Sequence, residues 1–450
     1  MQAALLRITI FCYLGTVAVT QTVYGGPFME ARWLALALLL IIACFSWTSA
    51  QVSRGNGLHG SGIPLVLAYL GLTFLTVIMA ENPLFSGLKW ASHAAMVVVF
   101  LIFLLQSLSL RQVGQTLNML KWLVAALVIL SCLKPVATVQ YQDVELFRGS
   151  FGSPNSLGQV AAIGGLLFLH SLLTAQPGWL RRAEAVTACA AAWLVWSSGA
   201  RSAMVASITG IFLMSSFYPA RLSRKLLWII LVIGGLALAV PDMPKAVTQF
   251  VLREKTDTRP FSELIFVTRA PVWEAAWEGF KRRPLFGWGF GADDHISRHW
   301  EIQLTALGIR ERDQVNDVLV VLESTGIVGL MGYLLLIILA LKQVPTRHQR
   351  FLIRKMHGPP MPKRNNDFSA YHLHAIAFII SVSLLITVQF DNTALSAGNF
   401  VSVVLWLCVA LAGAIKKKAL AYEAALVRRR DLSIRLRNEA YRSGPILARH

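Results

Sequence analysis

Charge is scarce in this chain: 14% of its 450 residues are Asp, Glu, Lys or Arg, against 55% hydrophobic, and the mean hydropathy is +0.57. A soluble protein of this length does not have that balance, so the bilayer is its solvent. The ten-residue alternation of an outer-membrane barrel is also missing. Helices are then the spanning elements, because a lipid-exposed backbone must satisfy its own hydrogen bonds. Cysteine chemistry is missing as well: Cys12, Cys44, Cys132, Cys189 and Cys408 stand singly in apolar runs, without a C-x-x-C pair or metal-ligand spacing, and read as packing residues. The net charge of +19 comes with no aromatic-interleaved basic platform and no groove-reading motif, which argues against nucleic acid as a partner. The first apolar run follows a segment holding only Arg7 and lacks a small-residue cleavage site, so it reads as a retained signal anchor.

What the chain has is apolar runs of about 18 residues or more, each able to cross roughly 30 Å of hydrocarbon. They predict about twelve spanning helices, near 5–23, 31–49, 63–80, 91–108, 118–139, 156–174, 184–197, 201–218, 226–241, 316–341, 372–389 and 396–415. With the N-terminus inside, the inner segments collect Arg54, Arg111, Arg181, Arg182, Arg221, Arg224 and Lys225, then the basic residues from Lys342 to Arg364 and those of the tail. The short outer loops hold only Arg32, Lys89, Arg148 and Arg201, with Lys134 near an outer helix end. This asymmetry fits a multi-pass protein of the bacterial inner membrane with both termini cytoplasmic. The expected organisation is an N-terminal bundle over 1–241, a long periplasmic loop over 242–315, three helices over 316–415 and a basic cytoplasmic tail over 416–450.

Within the loop, Trp273, Ala276, Trp277 and Phe280 fall at helical spacing opposite Glu274, Glu278 and Lys281, which predicts an amphipathic helix on the membrane or on the bundle. Pro284 ends it, and Gly287-Trp288-Gly289-Phe290-Gly291 makes a tight turn. No strand precedes those glycines, so they are not a dinucleotide fingerprint. The tail, with Leu426, Leu432 and Leu436 among arginines, reads as a basic helix resting on anionic lipid.

Four outer segments place polar groups where a helical bundle has no structural need of them. Arg148-Gly149-Ser150-Phe151-Gly152-Ser153-Pro154-Asn155 leads into a helix that Asn155 or Ser156 can cap. Ser198-Gly199-Ala200-Arg201-Ser202 is a short reversal whose arginine can also simply snorkel to headgroups. Thr268-Arg269-Ala270-Pro271 opens the amphipathic helix, and Asn316-Asp317, with Glu323, Gly326 and Gly329 further on, opens a spanning one. Arg148, Arg201 and Arg269 face the side that short loops keep poor in positive charge, so something negative must balance them. A guanidinium is a fork of donors matched to phosphate oxygens, which makes a lipid diphosphate the economical ligand. Such a leaving group needs charge neutralisation, which guanidiniums supply without a metal. No cofactor is expected. His295 and His299, with Asp293 and Asp294, could hold a metal only with a third ligand that is not evident, and His372 and His374 read as interfacial.

In this order the segments resemble the O-antigen ligase and polysaccharide polymerase superfamily. The matching residues are Arg148-Gly-x-Phe-Gly-x-Pro-Asn155, Ser198-Gly-Ala-Arg201-Ser202, Arg269-x-x-x-Trp273, Pro284-Leu-Phe-Gly-Trp-Gly-Phe-Gly291 and Asn316-x-x-Leu-x-x-x-Glu323-x-x-Gly326-x-x-Gly329. The resemblance implies an all-α polytopic membrane bundle with one long periplasmic loop, of GT-C-like architecture, acting as a metal-independent glycosyltransferase. It implies a donor glycan on undecaprenyl diphosphate, an acceptor that is a glycan or lipid A-core, and diphosphate binding by Arg148, Arg201 and Arg269. Membrane lipids and other polysaccharide-assembly proteins are the remaining partners expected. The superfamily carries histidine before the asparagine, in a His-Asn-x9-Gly pattern, and this chain has Val315 there. A carboxylate can serve as base instead, Asp317 ahead of Asp313, beside Asn316. Two other readings remain: a flippase for the same lipid-linked sugar, which needs charge along a central cavity, and an assembly protein without catalysis.

Overall fold

The computed structural model describes residues 2–52, 63–133, 138–141, 144–174, 178–218, 270–291, 317–343, 349, 370–391 and 396–442. The protein is an all-α polytopic membrane protein. Its helices are α1 Gln2–Thr20, α2 Ala31–Val52, α3 Ile63–Ile78, α4 Pro83–Ser107, α5 Leu110–Leu133, α6 Pro154–Thr174, α7 Trp179–Ser197, α8 Arg201–Phe217, α9 Ala270–Arg282, α10 Asp317–Leu341, α11 Ala370–Asp391 and α12 Phe400–Arg442. Among the described residues, seven helical stretches are long and apolar enough to cross a membrane, and Ala4–Thr20, Ile63–Ile78 and Arg201–Phe217 are shorter apolar helices. The expected span at 226–241 lies outside the described residues.

The core forms around α11 and the first half of α12. From Phe400 to Ile415 nearly every residue of α12 is buried, Trp406 completely, so this helix is apolar all round and is wrapped by α11, α1 and the middle of α4. That middle, Val98–Leu104, is wound as π-helix. Helix α4 begins eight residues before its apolar run, because Asn82 accepts a hydrogen bond from Phe85 N–H and Pro83 sits at the first helical position.

Several sequence expectations change. The run predicted as helix to 139 ends at Leu133, and a two-stranded antiparallel hairpin follows, β1 Thr138–Tyr141 and β2 Val144–Phe147, with Thr138 opposite Phe147. The tail is helical as expected, and it continues α12 without a break from the last span to Arg442. Only Cys408 is buried, while Cys12, Cys44, Cys132 and Cys189 face outward, so one cysteine packs the core rather than five. His374 is buried, and half-buried His372 shares the Tyr218 hydroxyl with buried His170, each imidazole Nδ1 lying 3.1 Å from it; neither residue is merely interfacial.

Helix α10 is two pieces. Gly326 adopts φ +63°, ψ −164°, which breaks the helix. The 284–289 turn inserts there and replaces the lost bonds: Trp288 N–H donates to Glu323 O (3.2 Å) and Gly289 N–H to Ser324 O (2.7 Å), while Ile327 N–H donates to Pro284 O (2.9 Å) and Val328 N–H to Leu285 O (3.2 Å). Four backbone groups of the helix at the break thus find partners in the turn, as a low-dielectric setting demands. The glycines allow the approach, since a Cβ on Gly287 would lie 2.5 Å from the Ser324 backbone and one on Gly289 would lie 2.4 Å from Ala80 Cβ at the end of α3.

Candidate functional site

Arg148 is set by a crowded turn. The hairpin delivers the chain to it, and Gly149, at φ +54°, passes so close to α5 that a Cβ would meet Ser131 Cβ at 2.7 Å. Ser131 and Ser150 hydroxyls hydrogen-bond at 3.0 Å, and Phe151 is fully buried. The end of α1 stitches on from the other side, Val23 N–H donating to Ser150 O (2.9 Å) and Gly152 N–H to Gln21 O (2.8 Å). Helix α6 then starts, capped by Ser153 Oγ accepting from Ser156 N–H at 3.2 Å, so the cap is Ser153 rather than Asn155 or Ser156. Held between these elements, the Arg148 side chain is half-buried, and its Nε has no hydrogen-bond partner among the described residues.

Arg201 is the first residue of α8 and is also half-buried. Gly199 precedes it at φ +63°, and a Cβ there would lie 2.8 Å from Leu146 Cδ2, two residues before Arg148. Below, Gly158 of α6 lets Ala200 settle, since a Cβ on it would be 2.4 Å from Ala200 Cβ. The two arginine-bearing turns therefore touch each other and share one end of the bundle. A cation in the first turn of a helix adds to the positive end of the macrodipole rather than offsetting it, so Arg201 has no local structural reason to be there. Two guanidiniums and the N-termini of α6 and α8 gather at this end, an environment built for an anion.

The other predicted residues fare unevenly. Asp317 is the first residue of α10; Asp313, Asn316, Arg269, His295, His299, Asp293 and Asp294 lie outside the described residues. Helix α9 forms as expected and begins one residue after Arg269, packing against α10, although Trp277 of its apolar set is 43% exposed. Among the described residues no group of three metal-ligating side chains comes together.

The structure also places Glu323, which the sequence motif includes, and shows a buried pair that sequence reasoning missed. Glu323 is 5% exposed and lies under α9, where a Cβ on Gly279 would meet its Oε1 at 2.7 Å. At the opposite end of the bundle, Lys121 Nζ pairs with Glu184 Oε1 at 2.7 Å and donates to Ser171 Oγ at 3.2 Å, all three being buried. The helix interiors thus hold one buried ion pair among the described residues. Beside the pair is a cavity of ≈ 20 Å³ lined by Asn118, Lys121, His170, Ser171 and four leucine or isoleucine side chains. Lys121 lies within the span expected over 118–139 and Glu184 opens the one expected over 184–197; the helices themselves begin earlier, at Leu110 and Trp179, and no local pattern pairs the two residues.

The protein is thus a many-helix membrane bundle with two arginine-bearing turns in contact at one end. Residues 185–334, from α7 through the break in α10, match the O-antigen ligase family model, which supports the O-antigen ligase and polymerase superfamily. No curated protein matches the chain.

Proposed function

We propose that the protein is a metal-independent glycosyltransferase that transfers or polymerises glycan from an undecaprenyl-diphosphate carrier at the periplasmic face of the inner membrane. The observation that carries this reading is the contact between the Arg148 and Arg201 turns beside two helix N-termini. Arg148 and Arg201, joined by Arg269, hold the diphosphate and neutralise the charge that grows on it as the bond from the sugar C1 to the phosphate oxygen breaks. The acceptor hydroxyl forms the new C1–O bond, and its proton passes to a carboxylate, Asp317 ahead of Asp313, with Asn316 beside it. Polymerisation of repeat units ranks ahead of ligation to lipid A-core. Twelve crossings with both termini cytoplasmic place these groups outside, and membrane lipids and other assembly proteins complete the surroundings.

The Lys121–Glu184 pair favours a second reading, a flippase for lipid-linked sugar, because buried charge is what a translocation path needs. Two features weigh against it: the charges neutralise each other, and the adjoining cavity holds about one water, far too little for a sugar. Val315 keeps a non-catalytic assembly role as the third reading.

The test is deletion of the protein followed by complementation. Undecaprenyl-linked repeats are expected to accumulate in the deletion strain, and Arg148→Ala, Arg201→Ala and Arg269→Ala are expected not to restore polymer. Full-length glycan from all three variants would overturn the enzymatic reading.

A further inference from the structure

Two polar clusters meet at the end of the bundle opposite the arginine turns. In one, buried Lys121 of α5 gives two of its three hydrogens to Glu184 of α7, at 2.7 Å, and to Ser171 of α6, at 3.2 Å. In the other, the Tyr218 hydroxyl just past α8 lies 3.1 Å from Nδ1 of both His170, on α6, and His372, on α11. That hydroxyl has one hydrogen, so it donates to one imidazole and accepts from the other. Whichever way it points, His170 Nε2 is left as a buried donor or a buried acceptor, and no described residue pairs with it. Ser171 Oγ accepts from Lys121, which leaves the hydroxyl hydrogen still to be donated.

The ≈ 20 Å³ cavity lies where the clusters adjoin, since Lys121, Ser171 and His170 all line it. We propose that this cavity is a site for one ordered water molecule, which joins the two clusters into a single hydrogen-bonded unit across α5, α6, α7, α8 and α11. The volume exceeds the roughly 10–15 Å³ that a water needs and is too small for a phosphate. A monatomic ion would fit by size, but Lys121 and Glu184 already cancel, so it would stand as a lone charge out of water. A water both donates and accepts, so it serves either tautomer of His170 and takes the Ser171 hydrogen as well. Asn118 lines the same cavity and is exposed, which gives the water a way in and a third partner, the typical number for a buried water. The unit has a structural consequence for the candidate site. Helix α6 begins six residues after Arg148 and α8 begins at Arg201, and His170 and Tyr218 stand near the other ends of these same two helices. Sliding either helix would break bonds that lipid cannot replace, so the unit holds one register of the pair.

Electron cryomicroscopy of the full-length protein in lipid nanodiscs, at a resolution that shows ordered waters, tests the site. A peak is expected in the cavity about 2.7–3.2 Å from His170 Nε2. An empty cavity overturns the proposal, and so does a peak that strengthens when bromide replaces chloride, which would mark an ion. A double-mutant cycle in micelles tests the joining, with one residue from each cluster and no charge altered. His170→Phe and Ser171→Ala are each expected to lower the ratio of folded to unfolded protein about tenfold. Together they are expected to lower it about twentyfold rather than about a hundredfold, because the first change already releases the water that the second would strand. Effects that simply multiply would show that the clusters are not joined. The map is read on the wild-type protein, so it decides the site even where a variant does not fold.

Discussion

Replacing Gly326 by alanine attacks the break in α10 at its narrowest point. Its backbone angles lie in a region that only glycine adopts readily, at a strain of about 1–3 kcal/mol for any other residue. The new methyl group would stand 2.4 Å from Leu285 O and 2.5 Å from Leu285 C. Relief requires the inserted turn to retreat by roughly an ångström, which stretches the four backbone hydrogen bonds between the turn and the helix. At about 1 kcal/mol each, losing two to four of them adds about 2–4 kcal/mol. The sum, roughly 3–7 kcal/mol, is a large share of the typical stability of a folded domain. Unfolding in mixed micelles, followed by tryptophan fluorescence, measures it, with Trp288 in the affected turn as a local reporter. Gly15→Ala is the control: nothing lies within 4 Å of its Cβ position in α1, so it is expected to be neutral or slightly stabilising. A Gly326→Ala protein within about 1 kcal/mol of wild type would refute the account of the break.

Lys121→Met alone should cost about 3–5 kcal/mol because it strands Glu184, and Lys121→Met combined with Glu184→Leu should recover most of that in the same unfolding assay. Gly158→Ala pushes on Ala200 from 2.4 Å and displaces the Arg201 turn, so transfer in vitro should fall at least about tenfold, whereas Gly165→Ala, whose nearest neighbour is 3.9 Å away, should keep its rate. Exhaustive chelation with EDTA should leave the transfer rate unchanged if guanidiniums alone neutralise the leaving diphosphate.

The spanning helices could be read from sequence because an apolar run of the right length has one stable form in lipid. Their starts could not, where polar residues open a helix: Asn82 and Pro83 begin α4 outside its apolar run, and Arg111, Gln112 and Gln115 dilute the first turns of α5. The Lys121–Glu184 pair was hidden for a different reason: its members stand on different helices, and no local pattern shows that they meet. The hairpin before Arg148 was also invisible, since its strands are four residues each and continue a hydrophobic stretch without a clear turn signal. Gly326 and Gly329 looked alike in the sequence, and only one breaks the helix. The difference comes from a turn some forty residues earlier that supplies the replacement hydrogen bonds, which no local pattern contains. The Arg148 and Arg201 turns were found because basic residues are few in the short loops expected outside, a signal that needs no knowledge of packing.

The pairing of the Gln21–Val23 segment with Ser150 and Gly152 bears on how the molecule is made. The opening helix emerges from the ribosome with a backbone edge that stays vacant until four more helices and a hairpin have been synthesised. Completion of the Arg148 turn is therefore a late event in biogenesis, and exchanging α1 for a foreign anchor should disturb a guanidinium encoded far downstream.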